Sequence, residues 1–420
     1  MELTTKIISW VIFVLPIIIF IYMIYYNLMS LRGYFCKPDK VPFANPKARF
    51  LIIVPAFMEE NVIDIPIKCL TRQHYPSQLY DTYVGADGST DNTAKIAREC
   101  GAHVITAAMN ENYKRVGIGK SANIDYTLNQ IPDWDKKYDY LMIVDSDNEI
   151  SQNFLMHMND YIQYYNYPEV LQSRLDSKNG TGSITNTGLN SSFLRSTWFQ
   201  QIPEGRYGAC SVLGTGFCVK TDQLHGHFAY KTLVEDESME LTTILNDGRV
   251  MCVPEAYVIN ENYASMKAGG SIGILRWSRG SYECFLRYAI PSIIRIVKHP
   301  FQVRSWHVFA RINSLSKAQS LILLWIAWII VFLNNTTFNE NVLTYNSIII
   351  IIVFVLNLIM SINMVLIENL YVMRKAGYSY KKIVMTIVKT YLFQLCYLCI
   401  TSGQSLPGLK SNGSFQNMEK

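Results

Sequence analysis

Charge is what this sequence has least of. Charged residues fill 17% of its 420 positions while hydrophobic residues reach 50%, against about 25% charged in soluble globular chains. That shortage, over a length able to hold a domain of a few hundred residues and several apolar helices, indicates a membrane protein with a sizeable soluble part. A dense basic stripe interleaved with aromatics is missing and the net charge is only +5, which excludes nucleic acid as a partner. Paired cysteine spacing is missing as well. Nine cysteines are scattered, with Cys69, Cys100 and Cys252 beside apolar runs, the pattern of reduced thiols in a cytosolic domain. The C-x-x-C of Cys396 and Cys399 lies inside a hydrophobic segment and reads as packing, not as a metal or redox site. Around Lys120, in Gly117-Ile118-Gly119-Lys120-Ser121, glycines are too few for a phosphate-binding P-loop.

Long apolar runs are present at both ends. Ile7 to Leu31 is long enough for the ~20 residues of a spanning helix. It lacks the small-residue cleavage site of a secretory signal, so residues 1–31 are expected to be a retained anchor. Arg32, Lys37, Lys40, Lys47 and Arg49 follow it and only Lys6 precedes it, which puts the following domain in the cytosol. Ser320 to Leu333 and Tyr345 to Ile367 are two further candidate spans, and Ile383 to Ile400 a third, interrupted by Lys389 and Gln394. A multi-pass protein, with its spans in the plasma membrane and helices over 318–402, is the expectation. From 266 to 317 basic residues alternate with aromatics (Arg276, Arg279, Arg287, Arg295, Arg304 and Arg311 with Trp277, Tyr282, Phe285 and Trp306), as in helices lying in a membrane interface. Residues 403–420, rich in Ser, Gly and Asn, read as a flexible tail.

Between these ends, residues 48–265 alternate strand-like and helix-like segments, predicting an α/β domain with a mainly parallel sheet. Acidic residues fall just after its apolar runs. Asp87 follows Tyr80 to Ala86, and Asp145 and Asp147 follow Tyr140 to Val144. Ligands of such sheets bind beyond the carboxyl ends of the strands, where Glu59 also falls. Two aspartates one residue apart can share a hard divalent cation. Glu235-Asp236-Glu237 opens a further helix-like stretch whose apolar face is Met239, Leu241, Ile244 and Leu245.

Taken in order, Pro55-Ala56-Phe57-Met58-Glu59-Glu60, Ala86-Asp87-Gly88-Ser89-Thr90-Asp91, Val144-Asp145-Ser146-Asp147-Asn148, Gly214-Thr215-Gly216, Glu235-Asp236 and Arg276-Trp277-Ser278-Arg279-Gly280 resemble the motifs of family 2 glycosyltransferases over roughly residues 50 to 280. The resemblance implies a GT-A, Rossmann-like fold and an inverting sugar transfer from a UDP-sugar. It implies donor binding by Pro55, Glu59, Asp87, Lys120, Asp145, Arg276 and Trp277, and a Mg2+ or Mn2+ held by Asp145 and Asp147. Acceptor binding would fall to Gly214, Thr215, Gly216, Glu235 and Trp277. Asp236 would be the general base that deprotonates the attacking hydroxyl, a role typically worth ~10²–10⁴-fold in rate.

The chain departs from the family pattern at Met58, at Ala86, where a second acid is usual, and at Gly273, where the Q-x-x-R-W signature of processive members has glutamine. Ser173 to Asn179 is similar to bacterial exopolysaccharide and poly-N-acetylglucosamine synthase-like members. A growing polysaccharide or a lipid-linked acceptor is therefore expected, with a homo-oligomer possible. Single transfer to a glycolipid or polyprenyl phosphate stays open, as does a non-catalytic membrane scaffold.

Overall fold

The computed structural model describes residues 24–106, 117, 119–178, 182–228, 230–263, 265, 271–312 and 363–403, with Ile21, Ile352, Val355 and Ile359. The expected spans at 7–31 and 345–367 lie mostly outside the described residues; the span at 320–333 and the tail after 403 lie wholly outside them.

Eight strands follow in chain order: β1 Phe50–Ala56, β2 Tyr80–Ala86, β3 His103–Ile105, β4 Tyr140–Ile143, β5 Glu149–Ile150, β6 Val170–Ser177, β7 Phe217–Lys220 and β8 Val250–Asn260. They form one sheet in the order β3-β2-β1-β4-β7-β6-β8-β5. Alternation along β1 sends Phe50, Ile52 and Val54 into one apolar core and Leu51 and Ile53 into a second on the opposite face. Both faces are covered, which is why the strand reads as an unbroken apolar run. Each such buried side chain contributes roughly 1.5–3 kcal/mol.

The sheet is mixed but mainly parallel, as expected: β6 and β8 also pair in parallel, so six of the eight strands share one direction. β1, β2, β3 and β4 are parallel, but β7 runs against both β4 and β6, and β5 runs against β8. The reason lies in the Gly214-Thr215-Gly216 turn. The Gly216 amide donates to the Ile143 carbonyl at 2.9 Å, so the chain enters β7 at the end where β4 leaves the sheet. It can only run backwards from there.

The helices used below are α1 Asp64–Leu70, α2 Thr93–Glu99, α3 Lys120–Asn129, α4 Phe154–Tyr164, α5 Ile184–Ser196, α6 Glu235–Leu245, α7 Ser271–Lys298, α8 Val303–Ile312, α9 Glu368–Lys375 and α10 Tyr380–Gly403. α7 drives Ile274 and Cys284 inward and leaves Leu286, Ile290, Ile293, Ile294 and Val297 exposed. α10 packs across α5, where a Cβ on Gly188 would lie 2.2 Å from Phe393 Cγ. The fully buried Glu368 on α9 accepts from Ser30 Oγ at 2.5 Å and pairs with Arg195 at 3.2 Å. That partnership is what makes an interior carboxylate tolerable.

Among the described residues no helix is long and apolar enough to cross a membrane. α10, the expected third span, turns Lys389 to the Gly182 carbonyl at 2.7 Å. Cys36, Cys69, Cys100, Cys210, Cys218, Cys252, Cys284 and Cys396 are free, as their scatter implied.

Candidate active site

The parallel pairing of β1 with β2 ends at Ala56 opposite Ala86, so the loops after them lie side by side. They are laced together by backbone amides. Met58 donates to Ser89 Oγ at 3.1 Å, Glu59 to Thr93 Oγ1 at 2.8 Å and Glu60 to Asp91 Oδ2 at 3.2 Å. Asp91 also accepts from the Thr93 amide at 3.1 Å, which satisfies a free donor at the start of α2. Met58 takes a left-handed backbone, φ 58°, uncommon for a side chain of its kind. Pro55 and Asp87 belong to this lip through the end of β1 and the residue after β2.

One strand further along, the Asp145 amide donates to Thr215 Oγ1 at 3.0 Å, and Thr215 Oγ1 donates to Asn148 Oδ1 at 2.7 Å. The acidic loop after β4 is thereby bolted to the Gly214–Gly216 turn. Asn148 Nδ2 in turn holds Asp147 Oδ1 at 2.9 Å. Burial, then Asp145, Glu59 and Glu261, push Asp147 up to about 6. A half-buried acid facing other carboxylates is a place where a cation is wanted. Glu59 is raised too, by burial first and then by Asp145 and Asp91 against a hydrogen bond from Ser146.

Lys120, the first residue of α3, is the hub. Its Nζ lies 2.5 Å from Asp145 Oδ1, 2.6 Å from the Gly214 carbonyl and 3.6 Å from Glu235 Oε1. Burial works against its charge, but Asp145 and Glu235 outweigh burial and hold the ammonium above its ordinary value. Asp236 closes the circle: a Cβ on Gly214, φ 79°, would stand 3.4 Å from Asp236 Oδ2. Burial and then Glu235 push Asp236 up to about 7, opposed by Arg311. That is the range in which a carboxylate takes up a proton most effectively near neutral pH.

The structure thus gathers Lys120, Asp145, Gly214, Thr215, Glu235 and Asp236 into one cluster, with Asp147 beside it. Arg276 and Trp277 are a different matter. Arg276 is exposed on α7, while Trp277 is half-buried, packed near Leu189, Ile274 and Phe393 with its ring 6.4 Å from that of Tyr263. Among the described residues neither makes a hydrogen bond or ion pair to the Lys120 cluster.

Sequence reasoning missed the cations packed along α6 and the turn after it. Arg295, Arg304 and Arg311 were expected on a membrane-facing surface, but all three turn inward. Arg295 pairs with Asp247 at 2.8 Å, Arg304 donates to the Asp247 carbonyl at 2.8 Å, and Arg311 reaches Glu240 at 3.3 Å. His307, one turn before Arg311, meets Glu240 Oε1 at 2.8 Å and Glu204 Oε1 at 3.4 Å. The available signal was matched spacing, His307 and Arg311 on one helix face against Glu237 and Glu240 on another.

The sheet, with acidic loops after β1, β2 and β4, is of GT-A type. Residues 51–219 match glycosyl transferase family 2. Mannosyltransferase PcManGT from Pyrobaculum calidifontis, solved in complex with GDP-Man and Mn2+, shares the fold with a TM-score of 0.54 at 14% identity, over 91% of this chain and 99% of that one. Beta-monoglucosyldiacylglycerol synthases of a Nostoc strain and of Trichormus variabilis are 24% and 23% identical over 243 residues, 56% of this chain. The chain spans about half the length of the curated relatives it matches, 50% in each case.

Proposed function

We propose that this chain is a membrane-associated, inverting glycosyltransferase that moves one sugar from a UDP-sugar to a lipid-borne acceptor. The observation that carries the reading is the Lys120 hub, which ties Asp145 on the donor side to Gly214 and Glu235 beside the base. Asp236 accepts the proton of the acceptor hydroxyl as its oxygen attacks the anomeric carbon. Lys120 faces the diphosphate, and the loops of Glu59 and Asp87 face the nucleoside. Asp145 and Asp147 would hold a Mg2+ or Mn2+, whose chemistry is to offset charge on the departing diphosphate. Among the described residues no group of three or more His, Cys, Asp or Glu is set to cage a metal. Two carboxylates suit an ion that completes its shell with substrate oxygens and water.

Single transfer is favoured over chain extension by Gly273. A Cβ there would stand 2.7 Å from the Tyr263 ring, so the glutamine of the processive signature could enter only by displacing that ring. The glycolipid synthases among the relatives point the same way. Membrane association draws on α7, whose exposed Leu286, Ile290, Ile293 and Val297 are flanked by exposed Arg279, Arg287 and Lys298. We place the catalytic site on the cytosolic side, following the basic residues after Leu31.

The test is to incubate the purified protein with a panel of radiolabelled nucleotide sugars and mixed micelles of diacylglycerol or polyprenyl phosphate. One sugar per lipid, lost in Asp236→Asn with nucleotide binding retained, is the expected result. A ladder of products would instead establish chain extension, and full turnover by the Asn variant would remove Asp236 as the base.

A further inference from the structure

Asp236 opens α6, and the same helix carries Glu237 and Glu240, both buried. Three carboxylates within two turns repel one another, and burial magnifies the cost. Their counter-charge comes from α8, which follows the long α7 in the chain and packs on α6. Arg311 Nε lies 3.3 Å from Glu240 Oε2, and its Nη2 lies 3.9 Å from Glu237 Oε2. The same Nη2 donates to the Val212 carbonyl at 3.3 Å, while the Val212 amide donates to Glu240 Oε2 at 2.8 Å. Val212 is therefore gripped on both sides by one ion pair. Two residues later comes Gly214, whose backbone borders the Asp236 carboxylate. The clamp thus fixes the helix that bears the base and also the turn against which the base rests.

We infer that Arg311 is a positioning residue for the transfer reaction: from α8 it holds α6 and the Val212–Gly214 segment in register and sets a permanent positive charge behind Asp236. This rests on the reading of Asp236 as the base. The charged and titratable groups facing Asp236 are Glu235 and Glu237 on its own helix, Arg311 on α8, Lys120 on α3 and the Cys284 thiol on α7, with Glu240 and His307 behind. Arg311 and Lys120 are the cations among them that restrain the acid from taking its proton too early, and Arg311 does so from behind the helix. Glu240 and His307 secure Arg311: the imidazole donates to Glu240 and keeps that carboxylate turned toward the guanidinium.

The experiment is the pH dependence of kcat/KM in wild type, Arg311→Met, Arg311→Lys and Glu240→Gln, and in the charge-balanced pair Arg311→Met with Glu240→Gln, which guards against a fold lost to an unpaired carboxylate. Nucleotide affinity is measured in parallel by calorimetry. With the guanidinium gone, Asp236 is harder to ionise, so the acid limb should move up by about one pH unit, a ten-fold change in its ionisation constant. That movement is expected in both Met variants, with nucleotide affinity held within about two-fold. Lysine should return the limb most of the way, and Glu240→Gln alone should not raise it. An acid limb that stays in place while kcat falls would reduce Arg311 to a structural strut and overturn the inference. Asp236→Asn separates the two readings. If it retains turnover, the base assignment fails; if it is inactive and the limb is unmoved, only the role of Arg311 fails.

Discussion

At Asp147 and His307, function and stability pull in opposite directions. Asp147 titrates at about 6 because burial and the neighbouring Asp145, Glu59 and Glu261 disfavour its charge. Its folded value lies above its unfolded one, so its contribution is most favourable at low pH and is lost as pH rises through 6. Asp147→Asn is therefore expected to raise stability at pH 7 in chelator by roughly 1–2 kcal/mol, less than the full shift because the group is partly solvated. It should also abolish any cation-dependent gain in UDP affinity. Thermal melting and calorimetry with and without Mn2+ check both halves, and an unchanged cation response would make the aspartate structural. His307 shifts in the same sense, but its charged form is the stabilised one at neutral pH. Burial opposes its charge, but Glu204 and Glu240 hold its pKa up from 6.5 to about 9. Its pairing stabilises fully below 6.5 and fades as pH rises through 9. The melting-temperature gap between wild type and His307→Gln should narrow across that interval; a gap that widens would put the imidazole outside the buried ion network.

Among the elements, the Gly214–Gly216 turn has the least freedom. Gly216 has φ 63°, and a Cβ there would fall 2.5 Å from Ser173 Oγ and 2.6 Å from Val258 Cγ2. Gly216→Ala should cost about 1–3 kcal/mol through strain and overpacking, and should lower kcat by loosening β7 against β4. Denaturant midpoints together with kcat would show it; a neutral substitution would mean the turn relaxes freely. The strands leading to this turn were legible in sequence because β1 and β4 are unbroken apolar runs, and β2, though broken by Asp81 and Thr82, holds the expected bounds Tyr80–Ala86 just before Asp87. The direction of β7 was not legible. A four-residue apolar strand carries no sign of its polarity, which is set by where the preceding turn delivers it. Arg311 and Glu240 were hidden for a related reason: 71 positions separate them, and only the packing of α8 on α6 makes them a pair.

For the whole molecule, the question is what covers the outer face of α7. Val297 is 76% exposed and Phe301, just beyond the helix, 98% exposed, with Leu286, Ile290 and Ile293 on the same stripe. Apolar surface of this kind, rimmed by arginine, fits the boundary between headgroups and acyl chains. Replacing Ile290 and Ile293 by glutamate should release the protein from anionic vesicles in flotation and depress transfer to lipid acceptors, while donor hydrolysis persists. Retained flotation would assign attachment to other parts of the chain. On its inner side α7 is fixed to α6 and the turn after it by Tyr288 on Ser238 at 2.6 Å and Arg295 on Asp247 at 2.8 Å.

Lys120 gives the cluster a thermodynamic character of its own. On the proposed function, its ammonium, whose three protons already face Asp145, the Gly214 carbonyl and Glu235, must turn from one of these partners to meet a diphosphate oxygen. As the phosphates draw it off, a carboxylate is released next to Asp147 just when the bound anion needs neutralising. Nucleotide and divalent ion should then each sharpen the other's affinity, and the enzyme at rest would carry its own internal substitute for the pair of them.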